Sequence, residues 1–253
     1  MPIVTELKSS IATITIDRPE AMNAMTREMY GEITDVLREI DRDPDVLVGI
    51  ITGSGGRAFS AGHDLKQLQA PGVNDGWTPW RADRWDLGLA VSKPLIAAID
   101  GYALAGGLEL AVFCDIRIAT PRSQFGTPEI KWNLLHGYGA LRLPAIVGLS
   151  NALMLLLTGE FIDAEEARRI GLINRIVDPD NLMTEARAIA ESIAEKGSDA
   201  VQMTKELALR SIEAPLDQNL RLYHEYMSRT EGSEEQVRRT GEFGARSSPH
   251  AER

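Results

Sequence analysis

Apolar residues recur along this chain with two different periods, and each period predicts its own kind of element. Ile11–Ile16 (IATITI) alternates aliphatic residues with threonine and predicts a strand, ended by Asp17-Arg18-Pro19. Met1 to Ser10 has a similar strand-like pattern. Met25, Met29, Ile33, Leu37 and Ile40 repeat at helical spacing, which makes Thr26–Asp41 an amphipathic helix. Val46–Thr52 (VLVGIIT) is nearly continuous in apolar residues, as a strand covered on both faces requires. Gly53, Gly55 and Gly56 then mark a sharp loop. A further buried strand is expected at Leu95–Ile99, a helix at Gly106–Phe113 and another strand at Ile116–Ala119.

Beyond about Ser150 the strand pattern fades. Leu153–Thr158, Ala164–Ile170, Leu182–Glu195, Ser198–Glu213 and Leu216–Arg229 all carry helical apolar spacing. The tail from Thr240 to Arg253 is polar and basic, and its last dozen residues read as disordered. Gln69–Asp86 has no clean period and holds Pro71, Pro79 and three exposed-looking tryptophans, Trp77, Trp80 and Trp85. Long irregular stretches inside a domain are usually lids, so this one is expected to be the most mobile ordered segment and to close over a ligand. No internal repeat of fixed sequence period is present. The coarse architecture is an α/β core followed by a helical C-terminal region.

Composition narrows the function. At 253 residues with 43% hydrophobic and 25% charged residues, the chain suits one large domain, or one domain with a helical appendage. Its formal charge of −10 and pI near 5.0 exclude the basic face that nucleic acid demands. A local cluster of cations and helix N-termini can still hold an anionic ligand. The single cysteine, Cys114, rules out an internal disulfide and reads as a small buried hydrophobe. No apolar run approaches the ~18–20 residues of a membrane span, and no basic-then-apolar signal opens the chain. A cytoplasmic location is therefore expected.

Candidate chemistry begins at Ile51–Leu65, ITGSGGRAFSAGHDL. A strand followed by Gly53-x-Gly55-x-x-Ala58 imitates a dinucleotide fingerprint and would suit an oxidoreductase. That motif needs a long helix next, yet Gly62 interrupts it and the tryptophan-rich stretch occupies the place of its second strand. The other reading is a loop bent at Gly62 that offers backbone N–H groups to a ligand, followed by the first turn of a short helix at residues 63–66. Downstream, Gly106 and Gly107 open an apolar helix whose first N–H groups have no internal acceptor. Donors from two such loops would form an oxyanion hole for a thioester becoming enolate-like.

Two carboxylates stand close to these features. Glu109 lies early in the apolar helix, where burial opposes its ionised form and the helix N-terminus favours it. Glu129 follows Pro128 in FGTPEI. Taken alone, Glu109 is a partner for the helix dipole and Glu129 a surface carboxylate. As a pair on separate rigid elements they can hold a water and move protons in both directions. His63, His136, His224 and His250 show no metal-ligand spacing.

AFSAGHDL, GYALAGGLELAVFCDIRIAT and FGTPEI, in this order and spacing, resemble the crotonase (enoyl-CoA hydratase/isomerase) superfamily. So do Asp17–Ala24 (DRPEAMNA) and LTGEFIDAEEARRIGLINRIV at Leu157–Val177, and the likeness runs from about residue 3 to about residue 230. The resemblance implies an α/β fold with a repeated ββα core over 1–195, then a helical trimerisation region and polar tail over 196–253. A homotrimer, or a hexamer as a dimer of trimers, follows from it. It also implies reversible addition of water to the 2,3-double bond of an α,β-unsaturated acyl-CoA, with Glu109 and Glu129 as the catalytic pair. The oxyanion donors fall on the backbone N–H groups of His63 and Gly106, the His63 imidazole having no assigned chemistry. Ala61, Asp64, Leu65, Lys66 and Gly107 fall at substrate and coenzyme A positions, although Lys66 reads equally as a solvated lysine on a short helix. No cofactor is implied, since coenzyme A is part of the substrate, and no nucleic-acid or membrane partner is expected. A double-bond isomerase or another reaction of the superfamily is the alternative, and a non-catalytic acyl-CoA binding protein a further one.

The chain departs from the family's pattern in two places. Over residues 131–144 His136 stands for a proline and Asn133 for a glycine, and the stretch is one residue short, so a remodelled acyl pocket is expected. In Phe243-Gly244-Ala245-Arg246, Arg246 stands near where the family's lysine meets the coenzyme A phosphates. The three tryptophans read either as core or as the wall of a bulky acyl site.

Overall fold

The computed structural model describes residues 2–68 and 84–246. The lid expected at Gln69–Asp86 falls largely outside the described residues, as do Trp77, Trp80 and the end of the tail. One compact unit spans Met1–Ser192 and a second Ile193–Arg253.

The first unit opens with an antiparallel hairpin of β1 (Ile3–Lys8) and β2 (Ile11–Ile16), in which Ile3 pairs with Ile16. Helix α1 (Arg27–Arg42) follows, and its N-cap Thr26 accepts the Met29 N–H at 3.3 Å. Its apolar stripe is the one read from the sequence: Met29, Ile33, Leu37 and Ile40 are buried, with Tyr30 beside them. Each such side chain removed from water contributes roughly 1.5–3 kcal/mol.

A strand–strand–helix unit then recurs. It appears as β3 (Val48–Gly53), β4 (Ala58–Ser60) and the short α2 (Leu65–Leu68). It appears again as β5 (Leu95–Ile99), β6 (Tyr102–Leu104) and α3 (Gly106–Phe113). In β7 (Ile116–Ala119) and β8 (Gln124–Gly126) a 3₁₀ turn, Pro128–Trp132, replaces the helix. The first strand of each unit joins a six-stranded sheet of order β1-β2-β3-β5-β7-β10, and the second joins a four-stranded sheet of order β4-β6-β8-β9. β3 and β5 lie inside the larger sheet, which is why their sequences carry almost no polar residue.

Helices α4 (Tyr138–Val147) and α5 (Leu149–Thr158) follow, then β9 (Phe161–Asp163), α6 (Ala164–Arg169), β10 (Arg175–Ile176) and α7 (Leu182–Ala194). α7 buries Leu182, Ala186 and Ala190. The second unit holds α8 (Ser198–Glu213), α9 (Leu216–Thr230) and α10 (Glu234–Arg246). No helix among the described residues is long and apolar enough to cross a membrane.

Two sequence readings change. The polar tail is helical as far as Arg246, because ion pairs one turn apart, Arg239 with Glu235 and Arg238 with Glu242, stand in for an apolar stripe. Trp85 is not exposed: it is fully buried, stacked on Tyr30 at 5.2 Å and set edge-on to Phe113 at 5.9 Å. Cys114 is buried as expected.

Candidate active site

The site is built where chain leaves the short strands. After β4, Ser60 Oγ donates to Asn23 O at 2.8 Å and accepts the Gly62 N–H at 3.1 Å. Met25 N–H then donates to Gly62 O at 2.7 Å, and Asp64 N–H to Met25 O at 2.9 Å. This small bridge uses groups on either side of His63 and does not engage the His63 N–H. After β6, Ala105 at φ 52° turns the chain into α3, so the Gly106 N–H is at the helix start without an intrahelical acceptor.

The two loops meet face to face. Gly62 has φ +88°, and a Cβ there would lie 2.9 Å from Gly106 N and 2.8 Å from Leu104 O. Tyr30 of α1 lies against the same junction, its hydroxyl 2.8 Å from His63 Nδ1 and its ring stacked on the imidazole at 4.2 Å. A Cβ on Gly106 would overlap that hydroxyl. Burial pushes the Tyr30 phenol well up, with the Glu109 charge adding to the rise. The His63 residue is exposed overall, but desolvation of its stacked ring pushes the imidazole down, so this pair is neutral near pH 7.

Glu109, on the first turn of α3, is only 6% exposed among Leu108, Leu110 and Ala111. Burial pushes its carboxyl up to about 7 in spite of the Gly139 N–H, which donates to Oε1 at 2.9 Å and favours the anion. The nearby charge of Glu129 raises it further. Glu129, in the 3₁₀ turn that Pro128 starts, is also raised by burial, while His136 favours its ionised form. His136 Nδ1 lies 3.1 Å from Glu129 Oε2.

One segment, His136-Gly137-Tyr138-Gly139, therefore touches both acids. A Cβ on Gly137 would lie 3.2 Å from Glu109 Oε1, and one on Gly139 3.3 Å from Glu109 Cγ. The sequence marked this stretch as unusual but assigned it no contact with either glutamate. Tyr30 was also missed: it lies beside the apolar stripe of α1, and no motif set it apart.

The remaining candidates divide. Gly107 is buried against Ser60, and Ala61 is half-buried with its N–H on Met22 O at 3.0 Å. Asp64 is held by Arg18 Nη1 at 2.8 Å, and that guanidinium keeps its carboxyl below the usual range. Leu65 and Lys66 are exposed. The side chain of Arg246 lies outside the described residues.

The raised carboxyl of Glu109 affects stability. Its folded proton affinity exceeds the ordinary 4.5, so its contribution is fully present below pH 4.5 and lost as pH rises through about 7. Glu109→Gln is thus expected to be more stable than wild type above pH 7, by roughly 3 kcal/mol, and equal to it below pH 4.5. Urea unfolding at pH 8 and pH 4.5 checks this, and an unchanged difference between the two would refute it.

The chain has known relatives in sequence and in fold. The sequence model of the enoyl-CoA hydratase/isomerase family matches residues 6–244. A protein named Probable enoyl-CoA hydratase from Mycobacterium bovis is 41% identical over 237 residues, 92% of each chain. The (E)-benzylidenesuccinyl-CoA hydratase of Thauera aromatica is 37% identical over 251 residues, 98% of each chain. The crystal structure of an enoyl-CoA hydratase subunit I from Geobacillus kaustophilus superimposes with a TM-score of 0.90 at 32% identity, covering 100% of this chain and 98% of the other. Matched over nearly its full length in both sequence and fold, this chain belongs to the enoyl-CoA hydratase/isomerase family.

Proposed function

We propose that this protein adds water reversibly across the 2,3-double bond of an α,β-unsaturated acyl-CoA. The carrying observation is the pair of carboxylates, buried Glu109 and half-buried Glu129, both raised by desolvation and both touching the segment 136–139. Burial and mutual repulsion oppose the ionisation of both acids together, so that one can carry a proton while the other accepts one. Glu109, with its carboxyl near 7, is poised for either role. The His63 and Gly106 N–H groups hold the thioester oxygen as negative charge develops on it. The acids position the water for the β-carbon, and Glu129 exchanges the proton at the α-carbon. Ala61, Asp64, Leu65, Lys66 and Gly107 contribute to substrate and coenzyme A binding, and no metal or redox cofactor takes part. Incubation with crotonyl-CoA tests this: loss of the enoyl chromophore with formation of 3-hydroxybutyryl-CoA is expected. A shifted double bond without water uptake would instead favour the isomerase reading.

We infer further that the protein works as a trimer or a dimer of trimers. Leu149, Met154 and Leu157 of α5 are exposed, as are Leu141 of α4 and Leu135, which is 94% exposed. In the second unit α9 exposes Leu216, Leu220 and Met227. Exposed aliphatic side chains repeated along a helix in this way mark association faces. Sedimentation at micromolar concentration is expected to give three or six chains, and a stable monomer would overturn this.

A further inference from the structure

His136 is 9% exposed, and both ring nitrogens face defined groups. Nε2 lies 2.9 Å from Leu156 O, a carbonyl that can only accept, so Nε2 carries a hydrogen. Nδ1 lies 3.1 Å from Glu129 Oε2, though off the ideal hydrogen-bond line. Both atoms are buried, and among the described residues neither has another hydrogen-bond partner. With Nε2–H fixed, a bare Nδ1 and an ionised Glu129 would turn two lone pairs toward each other. A protonated Nδ1 and a protonated Glu129 would bury a net charge. Each alternative leaves a buried polar group unsatisfied or a charge uncompensated.

We propose that His136 is a positioning residue that shares a single proton with Glu129, held between Nδ1 and Oε2. This rests on the reading of Glu129 as an acid/base group and adds what governs its protonation. The carbonyl of Leu156 sets the ring orientation from α5, which carries no charged residue. Among the described residues the other titratable groups near the pair are Glu109 on α3 and, farther off, Tyr30 on α1, each of which feels the Glu129 charge. Lys131, on the same 3₁₀ turn as Glu129, is turned to Glu160 at 3.1 Å. Arg142 of α4 lies over the Tyr138 ring at 5.9 Å. Among the described residues the imidazole is the basic side chain set directly against Glu129, at 3.1 Å, and the pair gains or loses its proton as a unit.

Two measurements on the full chain test this. In ¹⁵N-histidine-labelled protein, with His136→Asn used for assignment, the wild-type Nε2 signal is expected to be that of N–H. The Nδ1 signal is expected to be displaced from that of a bare ring nitrogen, and to return toward it in Glu129→Gln. In kinetics, His136→Asn keeps a neutral side chain that can donate to Glu129 but cannot take up its proton. Its KM for crotonyl-CoA is expected within about threefold of wild type, while the alkaline limb of kcat moves at least about one pH unit lower, a tenfold change in proton affinity. An Nδ1 signal unaffected by Glu129→Gln overturns the shared proton, as does an unmoved limb in an active enzyme. A wild type inactive on crotonyl-CoA would refute the proposed function, and the nitrogen signals would still decide the pair.

Discussion

Glu109→Gln and Glu129→Gln are each expected to hydrate crotonyl-CoA at least about a hundredfold more slowly than wild type. Glutamine keeps the shape of the side chain and removes the titrating proton, so the loss isolates acid/base chemistry. At Glu109 the amide oxygen can still accept the Gly139 N–H, so the segment 136–139 retains that anchor. Affinity for acyl-CoA is expected to change little, because the proposed oxyanion donors are backbone groups that neither substitution alters. For Glu109→Gln instability cannot account for lost activity, since that variant is expected to be the more stable protein above pH 7. Wild-type rates in both variants would remove the acid/base assignment. A loss confined to KM would turn the two glutamates into binding groups.

Gly106→Ala is expected to lower kcat/KM by about a hundredfold, the scale of losing one oxyanion donor. The new methyl group meets the Tyr30 hydroxyl, which is fixed by its bond to His63 and by stacking on Trp85. The Gly106 N–H must then move away from the oxygen it is meant to hold. Tyr30→Phe deletes the obstructing hydroxyl and leaves the ring stack, so the double variant is expected to recover about tenfold, or 1.4 kcal/mol of barrier. Simple addition of the two single-variant losses would show that the contact does not position the donor.

Much of this was legible in the sequence because burial imposes periodicity. Ile11–Ile16, Leu95–Ile99, Gly106–Phe113 and Ile116–Ala119 are found where their patterns put them. The apolar run read from Val46 begins as a strand only at Val48, after the turn from α1. The strands β4, β6, β8 and β9 were not read as strands, since three residues are too few to establish a period. Helix α10 was missed for a different reason, its stabilising pairs being charged. At the site, the sequence supplied Glu109, Glu129 and the two glycine loops. It could not supply Tyr30, because a tyrosine next to an apolar helix stripe carries no signal that its hydroxyl meets a distant loop. Nor could it supply the reach of residues 136–139 to both acids, since that contact depends on how α4 returns across α3.

The smaller sheet acts as a ruler for the reaction. Its adjacent parallel strands β4, β6 and β8 end, in turn, just before His63, Gly106 and Glu129. Neighbouring strands stand about 4.8 Å apart, and a slip of one residue moves a strand end by about 3.3 Å. A slip of that size would carry a donor or an acid beyond hydrogen-bond reach of its target. Alignment of the proposed donor and acid is thus inherited from backbone pairing between β6 and β8, in which Tyr102 meets Gln124 and Leu104 meets Gly126. Side chains outside that backbone pairing can therefore vary without disturbing the spacing.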